Sequence, residues 1–575
     1  MICDFIKSLI RLAAGVVLFS APLARGGETN AAPSRLRVAV VQMYVHPSLA
    51  ENRDRIVAGI GQAAERGARV AVFPEAALSG SGGDSQELVD EAVEAIRRAA
   101  RERKVHVVFG AHTWLPSVRK NANWMLAISP DGRDLLRYEK LYDNHRATMP
   151  GVFAVDGVPC STMICADRWL RGVVEIPIQQ GAQISFELSN NYACEWVAPY
   201  EWLWNAPLAL RNTVWSIFAN AANQAPGVAS SPAGLKHGHS AIIAPDGRIV
   251  AASRSDTEDL VIADLEIAQA TRAEALARAS HPALRAFWEA GLKLHCGEAI
   301  GSPSFKPLKS AERDITLAVA PVTGDVLSIE AMIRKARERK ADLVAFPAQA
   351  VPEEALDKLC AAARENQITV VFGATHREAA GRRNSAFVIG PDGTVLTRYD
   401  QLSAVEPFQP GTNATAMWFR VKGVAAVVTV GRDARWTELS ELAAVAGARI
   451  HIHLDDEADD SPSARQRRLE TWANLASFLT FTATVNVGDA MLWDDLRGRD
   501  ESRAVVKGLP QPDTGAVEVY SPFSANLVVR ASPSALAVAT RRVPAANPHH
   551  PSRTSNLNPQ MKAWYELGAA LISPR

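Results

Sequence analysis

The sequence repeats itself, and this repeat constrains the fold more than any other feature of the chain. The apolar run 315–322 matches 36–43, and the segment 384–393, which ends in Pro-Asp-Gly, matches 123–132 at a constant spacing. A repeat of this length indicates two copies of one domain. The chain has 575 residues, which is too long for a single hydrophobic core and long enough for two.

Each copy shows short apolar runs, typical of strands, that alternate with longer runs of helical periodicity. In the first copy the predicted strands and helices follow the order 36–43, 50–66, 68–73, 87–104 and 105–111. Such alternation, together with hairpins at Pro-Asp-Gly turns, favours a layered α/β domain. We therefore predict two α/β domains in tandem, each followed by a short helical extension. The predicted segments are a leader at 1–34, a first domain at 35–270, a helical extension and linker at 271–312, a second domain at 313–540 and a C-terminal extension at 541–575.

The first residues are typical of an export signal. Lys7 and Arg11 precede the apolar run 12–21, and the small-x-small sequence 24–26 follows. A basic start, a short apolar run and a small-residue site are the three parts of a cleavable signal peptide. The alternative is an uncleaved anchor, although the run is short for a membrane span. We predict an exported protein, periplasmic or secreted, with no integral membrane span after signal removal.

Charge and cysteine content exclude several classes of protein. The 62 basic and 62 acidic residues give a formal net charge of zero, which offers no electrostatic basis for nucleic acid as a partner. The six cysteines include one in the leader, so an odd number remains and at least one thiol is free or pairs outside the chain. The sequence contains no Gly-rich phosphate loop and no zinc-type Cys/His spacing, and we therefore predict no metal and no organic cofactor.

Three short motifs of the first copy carry groups that can do chemistry. They are Phe73-Pro74-Glu75 at a strand end, Tyr138-Glu139-Lys140-Leu141 after a hairpin, and Ile164-Cys165-Ala166-Asp167-Arg168 at the end of an apolar run. Taken singly, each has an ordinary structural explanation: a helix cap, a surface charge and a small buried hydrophobic residue. In this order and context they resemble the motifs of the carbon–nitrogen hydrolase (nitrilase) superfamily, and 238–247 resembles a hairpin that this family places late in the domain.

The resemblance covers roughly residues 36–270 and implies an αββα sandwich with Glu75, Lys140 and Cys165 as a catalytic triad. Cys165 would attack the carbonyl of a small amide or N-carbamoyl compound and form an acyl-enzyme. Glu75 would take the thiol proton as general base and then activate water, while Lys140 would stabilise the oxyanion. The implied activity is that of an amidase-type hydrolase whose partner is a small-molecule amide.

The sequence departs from the family pattern between Lys140 and Cys165. Many members carry a further Glu in that segment, whereas residues 142–151 contain none. Asp143 and His145 are candidate replacements, and Asp143 is also a candidate substrate contact. The Ala-Asp that follows Cys165 is similar to the amidase and carbamoylase branches of the family, and it favours amides over nitriles.

Two further residues are candidate substrate contacts. Arg168 lies where some carbamoyl-amino-acid hydrolases keep a carboxylate-binding Arg, and a bidentate contact would suit that role. A structural Arg–Asp pair is the alternative. Asn190 precedes a tryptophan-rich segment, 196–215, that would form either an aromatic wall for substrate or ordinary core and interface packing.

The second copy has lost all three reactive groups. The residues at the three positions are Ala348, Gln401 and Gly431 in place of Glu75, Lys140 and Cys165. A methyl, an amide and a hydrogen cannot act as base, cation and nucleophile, so we predict that residues 313–540 are catalytically inactive. Family members commonly pair two domains face to face, and the second copy would then complete an intramolecular pseudo-dimer. A further homo-oligomer stays open, and the alternative role is ligand or partner binding in a remodelled pocket.

Two other functions remain open for the whole chain. An acyltransferase would use the same acyl-enzyme but resolve it with a nucleophile other than water. A non-catalytic small-molecule-binding protein would retain the three residues of the first copy by inheritance alone.

Overall fold

The computed structural model describes most of the chain outside its first residues and several loops. The described residues are 32–79, 84–115, 120–142, 144, 147–190, 202, 204–223, 238–301, 303–379, 381–479, 481–495, 517–523, 526–531, 535–545 and 558–574. The predicted export signal lies almost entirely outside these residues, and so do Asp143 and His145. Within the described part, no helix is both long enough and apolar enough to cross a membrane.

Two six-stranded sheets pack face to face in the first half of the chain. The strands are β1 (Arg35–Gln42), β2 (Val70–Val72), β3 (His106–Leu115), β4 (Lys120–Ile128), β5 (Asp134–Glu139), β6 (Phe153–Val155), β7 (Val158–Ile164), β8 (Ile184–Ser189), β9 (Trp215–Asn220), β10 (Ala241–Ile243), β11 (Ile249–Ala252) and β12 (Asp259–Glu266). Their order is β12-β1-β2-β3-β4-β5 in one sheet and β11-β10-β9-β8-β7-β6 in the other. The inner faces of both sheets contribute to one hydrophobic core.

Helices cover the outer faces of these sheets. They are α1 (Leu49–Glu65), α2 (Gln86–Arg103), α3 (Arg171–Gln179), α4 (Ala206–Asn212), α5 (Ala273–Ser280) and α6 (Arg285–His295). Helices α1 and α2 begin where the side chains of Ser48 and Ser85 accept a backbone N–H. Their apolar sides pack on the first sheet, whereas α3 packs beside β7 in the core between the halves. The resulting four layers match the predicted sandwich, and α5 and α6 form the predicted helical extension.

The second half repeats this architecture. Its strands are β13 (Arg313–Val319), β14 (Leu343–Ala345), β15 (Thr369–Glu378), β16 (Gly381–Ile389), β17 (Val395–Asp400), β18 (Trp418–Val421), β19 (Val424–Val430), β20 (Ile450–Leu454), β21 (Phe481–Asn486), β22 (Asp489–Asp495), β23 (Val517–Phe523), β24 (Asn526–Ala531) and β25 (Ala537–Val543). The sheet orders are β17-β16-β15-β14-β13-β25 and β18-β19-β20-β21-β22-β24-β23. Strand β25 pairs with β13 as β12 pairs with β1, and it extends past residue 540.

The helices of the second half are α7 (Val326–Glu338), α8 (Leu356–Asn366), α9 (Glu438–Ala446), α10 (Pro462–Ala476) and α11 (Pro559–Ile572). Helix α11 packs against α6 of the first half through aromatic side chains. The rings of Phe287 and Trp564 stack with centroids 4.8 Å apart, and the indole N–H of Trp564 donates to the carbonyl of Phe287 at 2.6 Å. A Cβ at Gly568 would lie 2.5 Å from the Phe287 ring, so glycine is what permits this close approach.

Buried charges also join the two halves. Three arginines of the first half meet three glutamates, one from α3 and two from α9, and the six residues are Arg171, Arg211, Arg278, Glu175, Glu438 and Glu441. Arg171 Nε is hydrogen-bonded to Glu441, and Arg278 Nε lies 3.3 Å from Glu438 Oε1. Because the positive and negative charges balance in number, the network can remain ionised away from water. That this packing supports activity stays a prediction.

Candidate active site

A carboxylate stands at the end of β2 in the first half. The strand ends at Val72, and Phe73 and Pro74 carry the chain to Glu75, which is only 6% exposed. The neighbouring strand β3 passes close by at Gly110, where a Cβ would lie 2.7 Å from the Cα of Glu75. Glycine at position 110 therefore permits the backbone approach that fixes the carboxylate.

An ammonium group meets this carboxylate. Lys140 follows β5 directly, and its Nζ lies 2.8 Å from Glu75 Oε1. The same oxygen accepts a hydrogen bond from Asn123 Nδ2 at 2.7 Å, and Glu75 Oε2 accepts one from the backbone N–H of Asn190 at 3.0 Å. Three donors thus hold both oxygens of one buried carboxylate.

The thiol lies where β7 ends. Cys165 is the first residue of the 3₁₀ turn Cys165–Trp169, and its φ of +48° is in the left-handed region. The turn is held by the carboxylate of Asp167, which accepts from Tyr138 Oη at 2.9 Å and from the backbone N–H groups of Tyr142 and Ile164 at 2.8 and 3.1 Å. This small network fixes where the thiol points.

The pKa values of the three groups follow from burial and from each other's charge. Burial alone would raise the Glu75 pKa, but the charge of Lys140 and the hydrogen bonds from Lys140 and Asn123 outweigh it, so the pKa is lowered. Burial lowers the Lys140 pKa, but the charges of Glu75 and Cys165 raise it by more, so the net shift of this pKa is upward. Burial and the charge of Glu75 raise the Cys165 pKa despite the opposing effect of Lys140. At neutral pH the site therefore holds a carboxylate, an ammonium and a thiol.

The structure thus brings Glu75 and Lys140 into contact, and the charges of both act on the Cys165 thiol. That these three residues form a catalytic triad stays a prediction. Of the candidate substrate contacts, Asp143 lies outside the described residues. Asn190 is beside the site, but the contact seen there is the one from its backbone N–H to Glu75. Its role toward substrate stays a prediction.

Arg168 is held inside the protein. Its Nη2 lies 2.5 Å from Glu187 Oε1 and 3.1 Å from Ser189 Oγ, and its Nε donates to the carbonyl of Cys165 at 3.0 Å. The ion pair that the structure describes for Arg168 is with a glutamate of β8. Arg168 therefore links the thiol-bearing turn to the neighbouring strand, and an anchoring role toward a substrate carboxylate would require this buried pair to open.

Sequence reasoning assigned no role to Asn123 or His112, which pair with each other across β3 and β4 beside the site. Asn123 donates to Glu75. Burial lowers the pKa of His112 although the charge of Glu75 opposes that shift, so its imidazole is neutral. The signal for Asn123 was in the repeat, because Asn384 stands at the matching position of a half that has lost its reactive groups. Trp202 and Trp215 are buried, which agrees with core packing for these two side chains, and Trp196 lies outside the described residues.

At the corresponding place in the second half, a different set of side chains fills the space. The Gln401 Oε1 accepts from Asn384 Nδ2 at 2.9 Å, and the same nitrogen donates to Asp456 Oδ2 at 2.7 Å. A Cβ at Gly431 would lie 2.5 Å from Asp456 Oδ2. The carboxyl group of Asp456 therefore occupies the volume that a side chain at position 431 would need.

The family model for carbon–nitrogen hydrolases matches residues 37–275 and 319–485. The chain belongs to the carbon–nitrogen hydrolase family. One matched segment falls within each sandwich, so the chain carries two nitrilase-like domains in tandem, as predicted. The first matched segment contains Glu75, Lys140 and Cys165, and the second contains none of these residue types at the corresponding positions.

Amidases are among the proteins to which this chain is similar. Omega-amidase NIT2 of Xenopus tropicalis is 23% identical over 261 residues, a match that covers 41% of this chain and 90% of the relative. Omega-amidase NIT2-B of Xenopus laevis is 22% identical over 261 residues, with the same coverage.

Solved structures of an amidase from Nesterenkonia sp. AN1 also match. A mutant with the acetamide moiety of fluoroacetamide added covalently to its active-site cysteine is 23% identical, with a TM-score of 0.36, and the match covers 43% of this chain and 98% of that one. A mutant of the same amidase in complex with butyramide is 23% identical, with a TM-score of 0.35 and coverage of 42% and 95%.

Proposed function

We propose that the first half hydrolyses small amides through a covalent acyl-enzyme on Cys165. The observation that carries this proposal is the ion pair between Glu75 and Lys140 at 2.8 Å, whose two charges both act on the partly buried Cys165 thiol. A base, a cation and a sulfur nucleophile are the groups that amide cleavage by a thiol requires.

In the acylation step, Cys165 Sγ attacks the amide carbonyl carbon while its proton moves to Glu75. A resting thiol needs such a base, because the thiolate is the attacking species and burial raises the Cys165 pKa. Lys140 stabilises the oxyanion of the tetrahedral intermediate. The backbone N–H of Ala166 adds a donor, because the first N–H groups of the 3₁₀ turn have no partner within it. Glu75 then gives its proton to the leaving nitrogen, ammonia or an amine departs, and a thioester remains.

In the deacylation step, Glu75 removes a proton from water, and the resulting hydroxide attacks the thioester carbon. The intermediate collapses to a carboxylic acid, and Cys165 leaves with the proton that Glu75 held. Asn123 and the backbone N–H of Asn190 keep the Glu75 carboxylate in place through both proton transfers.

The substrate that suits this site best is a neutral aliphatic amide. The name of the omega-amidase relatives supports an amide as the substrate class. Arg168 is engaged with Glu187 and Ser189, so a substrate carboxylate would compete with a buried ion pair. N-Carbamoyl amino acids are therefore the second choice.

The test is intact-protein mass spectrometry after incubation with a panel of small aliphatic amides, together with an ammonia assay. We expect a transient mass increase equal to the acyl group, which peptide mapping assigns to Cys165, and ammonia release that matches acid formation. Cys165→Ala abolishes both signals. Cys160→Ala is the matched control, because Cys160 is a fully buried thiol on β7, the strand that precedes Cys165, and its loss leaves the adduct intact.

Two outcomes would contradict the proposal. Acyl transfer to an added amine without acid formation would identify an acyltransferase. No adduct at any pH, together with no ammonia release, would favour a non-catalytic binding protein.

A further inference from the structure

The second half has a cavity at the position that corresponds to the site of the first. Gly431, which corresponds to Cys165, lines this cavity. Asp456 also lines it and corresponds to Asn190, because each residue lies two positions after the matching strand residues Leu454 and Leu188. The cavity has a volume of about 60 Å³. One water molecule needs roughly 10–15 Å³ by this measure, so the cavity has room for a small ligand.

One wall of this cavity is acidic. Asp455, Asp456 and Glu457 follow β20 consecutively, and all three line the cavity. Burial and the neighbouring carboxylates of Asp455 and Asp433 raise the pKa of Asp456 to about 7. The negative charges of this acidic wall therefore repel one another, and a bound cationic group would reduce that repulsion.

Another part of the lining is basic. Helix α10 contributes Arg467 and Arg468, and the turn after β19 contributes Arg432 and Arg435. Arg432 and Arg435 contact Glu274 of the first half. The Nε of Arg468 and the Nε of Arg432 are buried and find no hydrogen-bond partner within the described part of the chain.

An imidazole adds a third kind of polar group to the lining. His453 is 1% exposed, and its Nδ1 lies 3.0 Å from Thr429 Oγ1. Its Nε2 is buried and has no partner among the described residues, although the side chain lines the cavity. A buried polar atom without a partner is uncommon in folded proteins, and here it points to a missing ligand group.

We propose that this cavity binds a small zwitterion that carries one carboxylate and one ammonium group, as an α-amino acid does. A simple anion would also meet the acidic residues, and a simple cation would also meet the arginines, so either ligand would supply a counter-charge to only one of the two sets. A ligand with both groups places its carboxylate against Arg467 and Arg468 and its ammonium against Asp455 and Asp456. His453 Nε2 supplies a further hydrogen bond. This binding does not depend on the reaction proposed for the first half.

The test is isothermal titration of the full-length protein carrying Cys165→Ala, which prevents turnover. Glycine, L-alanine and L-serine are titrated beside acetate, which has only the carboxylate, and methylammonium, which has only the ammonium. We expect at least one amino acid to bind, and both half-ligands to bind about tenfold more weakly or worse, because each forfeits a set of charge-assisted hydrogen bonds.

Substitutions assign the binding to this cavity. Arg467→Gln and Asp456→Asn should each weaken amino-acid binding about tenfold or more. Arg465→Gln, a change at a half-exposed arginine of the same helix outside the cavity lining, should leave the affinity unchanged. Absence of binding by all three amino acids at millimolar concentration would overturn the proposal. So would equal affinity for acetate, or an affinity unaffected by both cavity substitutions.

Discussion

The two halves of the chain share a tyrosine–aspartate hydrogen bond beside two sites that carry different side chains. In the first half Tyr138 Oη donates to Asp167 at 2.9 Å, and in the second Tyr399 Oη donates to Asp433 at 2.6 Å. Burial raises the pKa of both aspartates to about 6. The hydrogen-bonded turn after the strand is therefore a property of the fold, and the thiol is an addition to it.

The glycines beside the two sites lead to the same conclusion. A Cβ at Gly110 would lie 2.7 Å from the Cα of Glu75, and a Cβ at Gly373 would lie 2.4 Å from the Cα of Ala348. The close approach of the two strands thus persists where the carboxylate has been lost. It serves the packing of the sheet in both halves, and the first half uses it to fix a base.

The test with the largest expected effect replaces the lysine of the first half with the glutamine that the second half has at the same position. Lys140→Gln, which copies Gln401, should lower kcat by about a hundred- to a thousandfold, because the oxyanion loses its cation. Without Lys140, burial dominates and the Glu75 pKa rises, so the residual activity should increase with pH. The measurement is kcat over a range of pH with a small amide.

The matched control for that change is Gln401→Ala in the second half. It removes the hydrogen bond with Asn384 but touches no reactive group, so kcat should stay within about twofold of the wild type while stability falls by about 1 kcal/mol. A large loss of kcat in this control would mean that the second half takes part in the chemistry.

The next test breaks the charge network between the halves. Glu441→Gln should reduce the free energy of unfolding by about 3 kcal/mol, because it leaves the buried Arg171 without one of its carboxylates. Since Arg171 begins the helix that follows the thiol-bearing turn, kcat should fall as well. Urea unfolding and activity are measured on the same samples.

An exposed ion pair provides the comparison for Glu441. Glu566 lies 3.9 Å from Lys562 on α11 at the surface, and Glu566→Gln should change the free energy of unfolding by less than about 1 kcal/mol. If Glu441→Gln leaves activity untouched while it destabilises the protein, the second half is not a support for the active site.

The smallest expected change in kcat comes from the two tyrosines that occupy equivalent positions in the two halves. Tyr138→Phe and Tyr399→Phe should each destabilise the protein by about 1–2 kcal/mol, because each leaves a buried aspartate without one donor. Only Tyr138→Phe should also lower kcat, since only that turn carries a thiol. Equal effects of the two changes on kcat would show that activity reports global stability alone.

Much of the fold was predictable because the signals are local and occur twice. The five strands and helices predicted between residues 36 and 111 begin and end within a few residues of the predicted bounds. The motifs that contain Glu75, Lys140 and Cys165 lie at strand ends. The grouping of the three residues was implied by the resemblance of these motifs to the nitrilase superfamily.

Contacts between distant segments could not be predicted in the same way. Glu187 lies in a buried strand, and the contact with Arg168 that neutralises its charge is visible only in the folded structure. Arg171 and Glu441 are far apart in the sequence, and no periodicity links them. The carboxyl group of Asp456 over Gly431 likewise depends on side-chain packing, which a pattern of residue types does not specify.

The backbone at the nucleophile position has a consequence for how such a chain can change. Cys165 has φ +48° and Gly431 has φ +58°, a conformation that disfavours any residue with a Cβ by roughly 1–2 kcal/mol. Glycine adopts it freely. Replacement of the cysteine by glycine thus relieves local backbone strain. A copy of the domain that no longer needs the thiol can gain stability in this way, whereas a catalytic copy has to retain the strained residue.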